Sequence, residues 1–134
     1  MIDTNVFVSS FFGGNPRNII DLWKTGHVTL CLSKAIIDEY VEVLQRLGLP
    51  TEKELEELLS LFAVGFNAIF TTKTPELHIV DEDPDDNKFI ECAVALDAKF
   101  IISGDKALLA VQDYIGIKIV SPLEFLDLSP DGLY

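Results

Sequence analysis

Phe100-Ile101-Ile102-Ser103-Gly104-Asp105 repeats a pattern set at the start of the chain by Met1-Ile2-Asp3-Thr4-Asn5: a short apolar run that stops at a carboxylate. As parallel strands of one sheet, the two runs deliver Asp3 and Asp105 to the same C-terminal edge. Open α/β sheets bind their ligands at that edge. Neighbouring strands are therefore expected for the two runs.

The rest of the chain fits around them. Ile2 to Val6 reads as a strand passing into a loop. Asn15 and Pro16 suit the start of a helix that runs to about Lys24 and stops at Gly26. Val28-Thr29-Leu30-Cys31-Leu32 reads as a buried strand. Ser33 caps a helix whose apolar positions Ile36, Ile37, Tyr40, Val41, Leu44 and Leu47 recur at helical spacing, closed by Gly48-Leu49-Pro50. Thr51 and Glu54 form a capping box for the next helix, which ends near Gly65. Asn67–Thr72 and Glu76–Val80 are strand-like or irregular. A helix begins near Asp85, a strand covers Lys99–Ser103, a helix runs from Lys106 to about Tyr114, and Gly116 breaks it. Ile117–Val120 is the last strand, Ser121-Pro122 opens a short helix, and the tail beyond is expected to fray. Alternating strands and helices predict an α/β fold, with a central, mostly parallel sheet covered on both faces.

At 134 residues, 49% of them apolar, one domain over residues 1–134 can bury a core without disulfides. Cys31 and Cys92 lie in apolar segments without metal-finger spacing, so both read as buried free thiols. No apolar run reaches membrane-spanning length and no basic segment leads into a long apolar one, so a cytoplasmic location is expected. The net charge of −12 excludes a broad basic face for nucleic acid. The acids are clustered. Glu52, Glu54, Glu56 and Glu57 fit a solvated helix face, whereas Asp81 to Asp86 put five acids into six positions at a loop and helix start.

Four acids are placed to meet: Asp3, Asp105, Asp86 in the first turn of a helix, and Glu39 near the border of an apolar helix face. Taken singly, each has an ordinary role: strand-end cap, turn residue, first-turn acid, solvated helix residue. Together they repel one another, and such a cluster persists when cations neutralise it. Oxygen-only ligands suit Mg2+ or Mn2+, which orient water and lower its pKa for attack on phosphorus. Asp81 and Asp83 read as solvated loop acids, both with a secondary claim on a metal. His27 and His78 lack ligand spacing. No nucleotide-binding glycine loop or serine-nucleophile motif is present.

These residues resemble the PIN-domain family of metal-dependent nucleases. Ile2-Asp3-Thr4-Asn5-Val6-Phe7 is similar to its first motif and Ala35-Ile36-Ile37-Asp38-Glu39-Tyr40 to its second. Asp83-Pro84-Asp85-Asp86-Asn87-Lys88-Phe89 is similar to its third, and Ile101-Ile102-Ser103-Gly104-Asp105-Lys106 to its fourth. The resemblance spans about Ile2 to Leu126. It implies a three-layer α/β/α sandwich and a Mg2+- or Mn2+-dependent ribonuclease with Asp3, Glu39, Asp86 and Asp105 as metal-site acids. Asn5 and Ser103 match supporting polar positions. The pattern is most similar to the bacterial and archaeal branch of toxins from toxin–antitoxin pairs. That implies a small antitoxin protein as partner and is compatible with a homodimer. Only Met1 and Ile2 precede the first acid, so the first strand is expected to be short.

RNA phosphates are expected to meet the metal and a few local cations, with Arg17, Lys34 and Lys106 as candidates. Two other readings are a PIN-like module that binds without cleaving and an RNA-processing nuclease with no antitoxin. A phospho-acceptor receiver domain also clusters acids at a sheet edge, but this chain offers neither an adjacent acid pair after the first strand nor an acceptor aspartate.

Overall fold

Ser33 shows how this sequence turns strands into helices. It ends strand β1 (Leu30–Ser33), and its hydroxyl then accepts from the Ile36 N–H at 3.3 Å to cap helix α3 (Lys34–Arg46). Ile36, Tyr40 and Leu44, four residues apart, bury one face of that helix. The computed structural model describes residues 1–48 and 52–128, and the Thr51 capping box and the tail after Leu128 lie outside the described residues.

The remaining elements follow in chain order: α1 (Thr4–Ser9), a 3₁₀ turn over Ser10–Phe12, α2 (Gly14–Lys24), then β1 and α3, α4 (Glu52–Ala63) and β2 (Ala68–Thr71). After an irregular stretch come a 3₁₀ turn over Pro84–Asp86, α5 (Asn87–Ala95), β3 (Phe100–Ile102), α6 (Lys106–Leu109), β4 (Asp113–Tyr114), β5 (Ile117–Val120) and α7 (Pro122–Leu128).

The expected α/β class holds, with mostly parallel pairing. β1 runs parallel to β2, with Leu30 opposite Ala68 and Ser33 opposite Thr71. β3 runs parallel to β5, with Ile101 opposite Ile119. On its other side β3 takes Ile2 as a parallel bridge to Ile102: Asp3 N–H donates to the Ile102 carbonyl at 3.0 Å, and Ile102 N–H to the Met1 carbonyl at 2.8 Å. Asp3 and Asp105 therefore follow neighbouring parallel segments, as the sequence predicted, although the first is a single bridge and not a strand. Among the described residues only β4 is antiparallel, folding back on β5. The strands pair in two sets, β1–β2 and β3–β5–β4, and helix α5 packs against both through β1 and β3. Phe7 stacks on Tyr40, centroids 4.1 Å apart, and Trp23 is fully buried beside Phe62 and Phe66. Cys31 and Cys92 are buried free thiols, and burial pushes the Cys92 thiol up to about 11.

Three local expectations are corrected. Ile2–Val6 is not a strand. The chain leaves the sheet after a single bridge, and Val6, Phe7 and Val8 are buried in α1. Their β-branched, apolar composition looks like a strand because α1 is enclosed on several sides. Asn15 is not the cap of α2. That helix begins at Gly14 after Gly13, which turns the chain at a φ of 96° and offers no capping side chain. The helix read from Lys106 to Tyr114 lasts one turn. Gln112 takes a positive φ, and a two-residue turn with positive φ at both Ile115 and Gly116 sends β4 back onto β5.

Candidate metal centre

Asp3 has two tasks at the first strand end. Its Oδ1 accepts from the Val6 N–H at 2.9 Å, which caps α1. Its Oδ2 accepts from the Ser103 hydroxyl in a short hydrogen bond. Ser103 is completely buried, and its oxygen also accepts from the Asp105 N–H at 2.9 Å. One hydroxyl thus links the two acid-bearing strand ends. Asp105 caps α6 through Oδ1, which accepts from the Ala107 N–H at 2.8 Å. The single-residue readings of Asp3 and Asp105 as caps hold alongside their convergence. Burial raises the Asp3 carboxyl above its usual range, the hydrogen bonds from Ser103 and Val6 oppose this, and the charges of Asp105 and Glu39 reinforce it.

Asp86 is the unsatisfied member. It occupies the N-cap position of α5 but makes no capping hydrogen bond. It is 7% exposed, and its Oδ2 is buried without a hydrogen-bond partner. One carboxylate oxygen each from Asp83, Asp86 and Asp105 lie within 4.8 Å of one another. Burial first, then a proton shared with Asp105 and the charges of Asp105, Asp83 and Asp3, push the Asp86 carboxyl up to about 8. Asp105 moves the other way, held low chiefly by Asp86. Without a metal, the Asp86–Asp105 pair therefore holds a proton more readily than isolated carboxylates do.

Glu39 reaches the same neighbourhood from α3, but donors already hold it. Thr4 Oγ1 donates to Oε2 in a short hydrogen bond, and the Lys88 ammonium pairs with Oε1. Lys88, on α5, also reaches Asp85 at 3.2 Å. Burial alone would lower the Lys88 ammonium, but its hydrogen bonds to Glu39 and Asp85 and their charges leave it raised. Asn87 braces the loop that carries Asp83. Its Oδ1 accepts from the N–H groups of Ile79 and Val80 at 2.9 and 2.8 Å, and its Nδ2 donates to the Pro84 carbonyl at 3.0 Å.

The other sequence-predicted residues are less engaged. Asn5 is exposed on α1 and makes no side-chain hydrogen bond to the described residues. Arg17 is committed to the carbonyls of Ser10 and Phe11, at 2.6 and 3.1 Å. Lys34 pairs with Asp38 at 2.8 Å on an exposed helix turn. Lys106 is exposed immediately after Asp105. His27 contacts Thr25, and His78 lies near Glu76. Sequence reading passed over Thr4, Asn87 and Lys88 and gave Asp83 only a secondary part. The one sequence signal for them is their position inside the motif segments around Asp3 and Asp86.

The donor set fits a hard divalent cation: the grouped ligand atoms are carboxylate oxygens only, and Asp86 among them is buried with its Oδ2 unpartnered among the described residues. The PIN domain model matches residues 1–107, which bring every one of these acids. Neither the curated proteins nor the solved structures gave a match. The chain belongs to the PIN-domain family, whose members are generally nucleases that use divalent metals. Residues beyond the matched segment continue the same core through Ile117, Ile119, Val120 and Phe125.

Proposed function

We propose that this chain is a Mg2+- or Mn2+-dependent endoribonuclease that hydrolyses RNA phosphodiester bonds, with Asp3, Glu39, Asp86 and Asp105 as its site acids. The observation that carries the reading is the grouping of Asp83, Asp86 and Asp105, one carboxylate oxygen of each within 4.8 Å of the others, with Asp86 buried and its Oδ2 without a partner among the described residues. A divalent ion held there would polarise a phosphate oxygen and lower the pKa of a bound water. The chain's own groups supply the frame. Ser103 ties the Asp3 carboxylate to the Asp105 backbone N–H, and the α6 cap fixes the Asp105 carboxylate. With Arg17 and Lys34 committed to their own chain, Lys106 is the nearest candidate to meet a phosphate. RNA is the substrate to which the motif resemblance points.

The same resemblance supports the finer reading of a toxin restrained by a small antitoxin protein, acting as a monomer or a homodimer. The buried free thiols fit a reducing, cytoplasmic setting.

The test is incubation of the purified chain with single-stranded and structured RNAs, in Mg2+, in Mn2+ and in EDTA, alongside Asp105→Asn. Cleavage should require the ion and vanish in the variant. Cleavage that survives EDTA or Asp105→Asn would remove the proposal. Ion-dependent stabilisation with no cleavage of any RNA would leave the non-catalytic binding module.

A further inference from the structure

The α-nitrogen of Met1 stands where a peptide nitrogen would. Along one side of β3 the backbone bonds alternate between the two segments. Asp3 N–H donates to the Ile102 carbonyl at 3.0 Å, Ile102 N–H donates to the Met1 carbonyl at 2.8 Å, and the Met1 nitrogen donates to the Phe100 carbonyl at 3.0 Å. That is the pattern of a parallel ladder, with Met1 on its first rung. A rung needs one hydrogen. A free amine would put an ammonium there, with three hydrogens and a positive charge. Phe100 is the one acceptor that the described residues give this nitrogen. Met1 is 6% exposed, so two hydrogens and the charge would be buried without a partner. A neutral amide N–H on the same rung leaves nothing unpaired.

Beside Met1 lies a cavity of about 260 Å³, lined from β1 by Leu30 and Cys31 and from β3 by Phe100 and Ile102. Among the described residues β1 pairs only with β2, and β3 is met on this side only by the Met1–Asp3 segment. The two strand sets thus leave room beside Met1 for a group that continues its backbone. We propose that the Met1 nitrogen is acylated in the working protein, with the acyl group lodged in this cavity between β1 and β3. A carbonyl carbon is then bonded to the nitrogen, which carries no charge and keeps the single hydrogen that Phe100 accepts. The same chemistry has two sources. One is the carboxyl carbon of a residue joined ahead of Met1 during synthesis. The other is a small cap such as formyl or acetyl from an activated acyl donor, whose leaving group departs with one amine hydrogen. Because Met1 is buried, the bond must be made before the chain folds. The inference is independent of the metal centre and of whether RNA is cut. It bears on the site through position, since the Met1 rung adjoins the one that holds Asp3.

The experiment takes the protein from the cells that make it and measures its intact mass and N-terminal sequence. Either the Met1 nitrogen should be blocked by a cap, or the sequence should run into Met1 from a preceding residue, and the two results tell the sources apart. A main species with the bare mass of the 134-residue chain and a free Met1 amine would overturn the inference. A second measurement compares the 134-residue chain bearing a free Met1 amine with the same chain acetylated there. The acetylated chain should melt about 4 °C or more higher. Its Asp3 and Ile102 amides should exchange hydrogen about tenfold more slowly. A free-amine chain that fails to fold where the acetylated chain folds would support the inference equally. Equal melting and equal exchange would overturn it.

Discussion

Asp3 and Asp86 are both buried carboxylates at the same edge of the sheet, and they are held in opposite ways. Asp3 accepts from Val6 and Ser103 on its two oxygens, whereas Asp86 keeps a buried oxygen with no donor. Both are raised from the usual carboxylate range, each by burial first. Burial therefore does not separate a structural acid from a poised one. What separates them is whether the protein supplies the hydrogen-bond donors or leaves them to a ligand. Asp3 serves the fold and, on the proposed reading, the site as well, whereas Asp86 leaves a polar cost in the metal-free fold.

Activity should expose the sharpest difference. Outer-shell partners of metal ligands already cost 10–100-fold, so Asp86→Asn should lower ion-dependent cleavage by about 100-fold or more, measured as initial rates on a labelled RNA. Its metal-free melting temperature should match or exceed the parent's. A variant that cuts normally would place Asp86 among ordinary helix-start residues.

Stability should reverse the order. Asp3→Ala removes the α1 cap and leaves the Ser103 hydroxyl without its acceptor in a fully buried position. Chemical denaturation of the metal-free protein should show a loss of about 2–4 kcal/mol. Equal losses from Asp3→Ala and Asp86→Asn would erase the contrast.

The pH dependence sharpens it further. The folded Asp86 carboxyl, at about 8, lies above an unfolded value of about 3.9. Between those values the folded state binds the extra proton, so its stability falls as pH rises through this window. Asp105 is depressed, so its contribution is present above the unfolded value and is lost only in more acid solution. Melting without metal at pH 5 and pH 8 should therefore show a larger fall in the parent than in Asp86→Asn. Saturating Mn2+ should shrink the difference by binding the deprotonated pair. Equal slopes would mean that Asp86 is not protonated in the fold.

The smallest effect is expected at a pair that looks similar on paper. Lys34–Asp38 is a lysine–aspartate contact about one turn apart, like Lys88–Asp85, but Lys34 is mostly exposed whereas Lys88 is mostly covered. Lys34→Ala should change stability by no more than about 0.5 kcal/mol and leave Mn2+ binding untouched. An effect on binding would extend the centre beyond the acids named.

The strand-ending acids were readable because each follows a short apolar run that has little other use in a polar loop. The Ser33 cap, the burial of Ile36, Tyr40 and Leu44, and the free thiols were readable from periodicity and spacing. What escaped depends on distant contacts. α1 was taken for a strand because its burial under Tyr40 is a tertiary fact. The β4–β5 hairpin escaped because Gln112 and Ile115 accept a positive φ that their identities do not advertise. In the site, Lys88 reads as a helix lysine until α5 is set against α3, 49 positions away. Ser103 reads as a strand end until Asp3, 100 positions away, is brought beside it.

That last separation has a consequence in time. The chain is made from its N-terminus, at roughly 5–20 residues per second, and the Ile2 bridge to Ile102 cannot form until β3 has left the ribosome. Closing so long a loop carries an entropy cost that later contacts must repay, so this pairing belongs to the slow end of folding. Asp3, Glu39 and Asp86 are all synthesised before the strand that gathers them. A nascent chain thus carries Asp3, Glu39 and Asp86 for much of its synthesis before they can be gathered, and the proposed cation site can assemble only once Ile2 has bridged to Ile102.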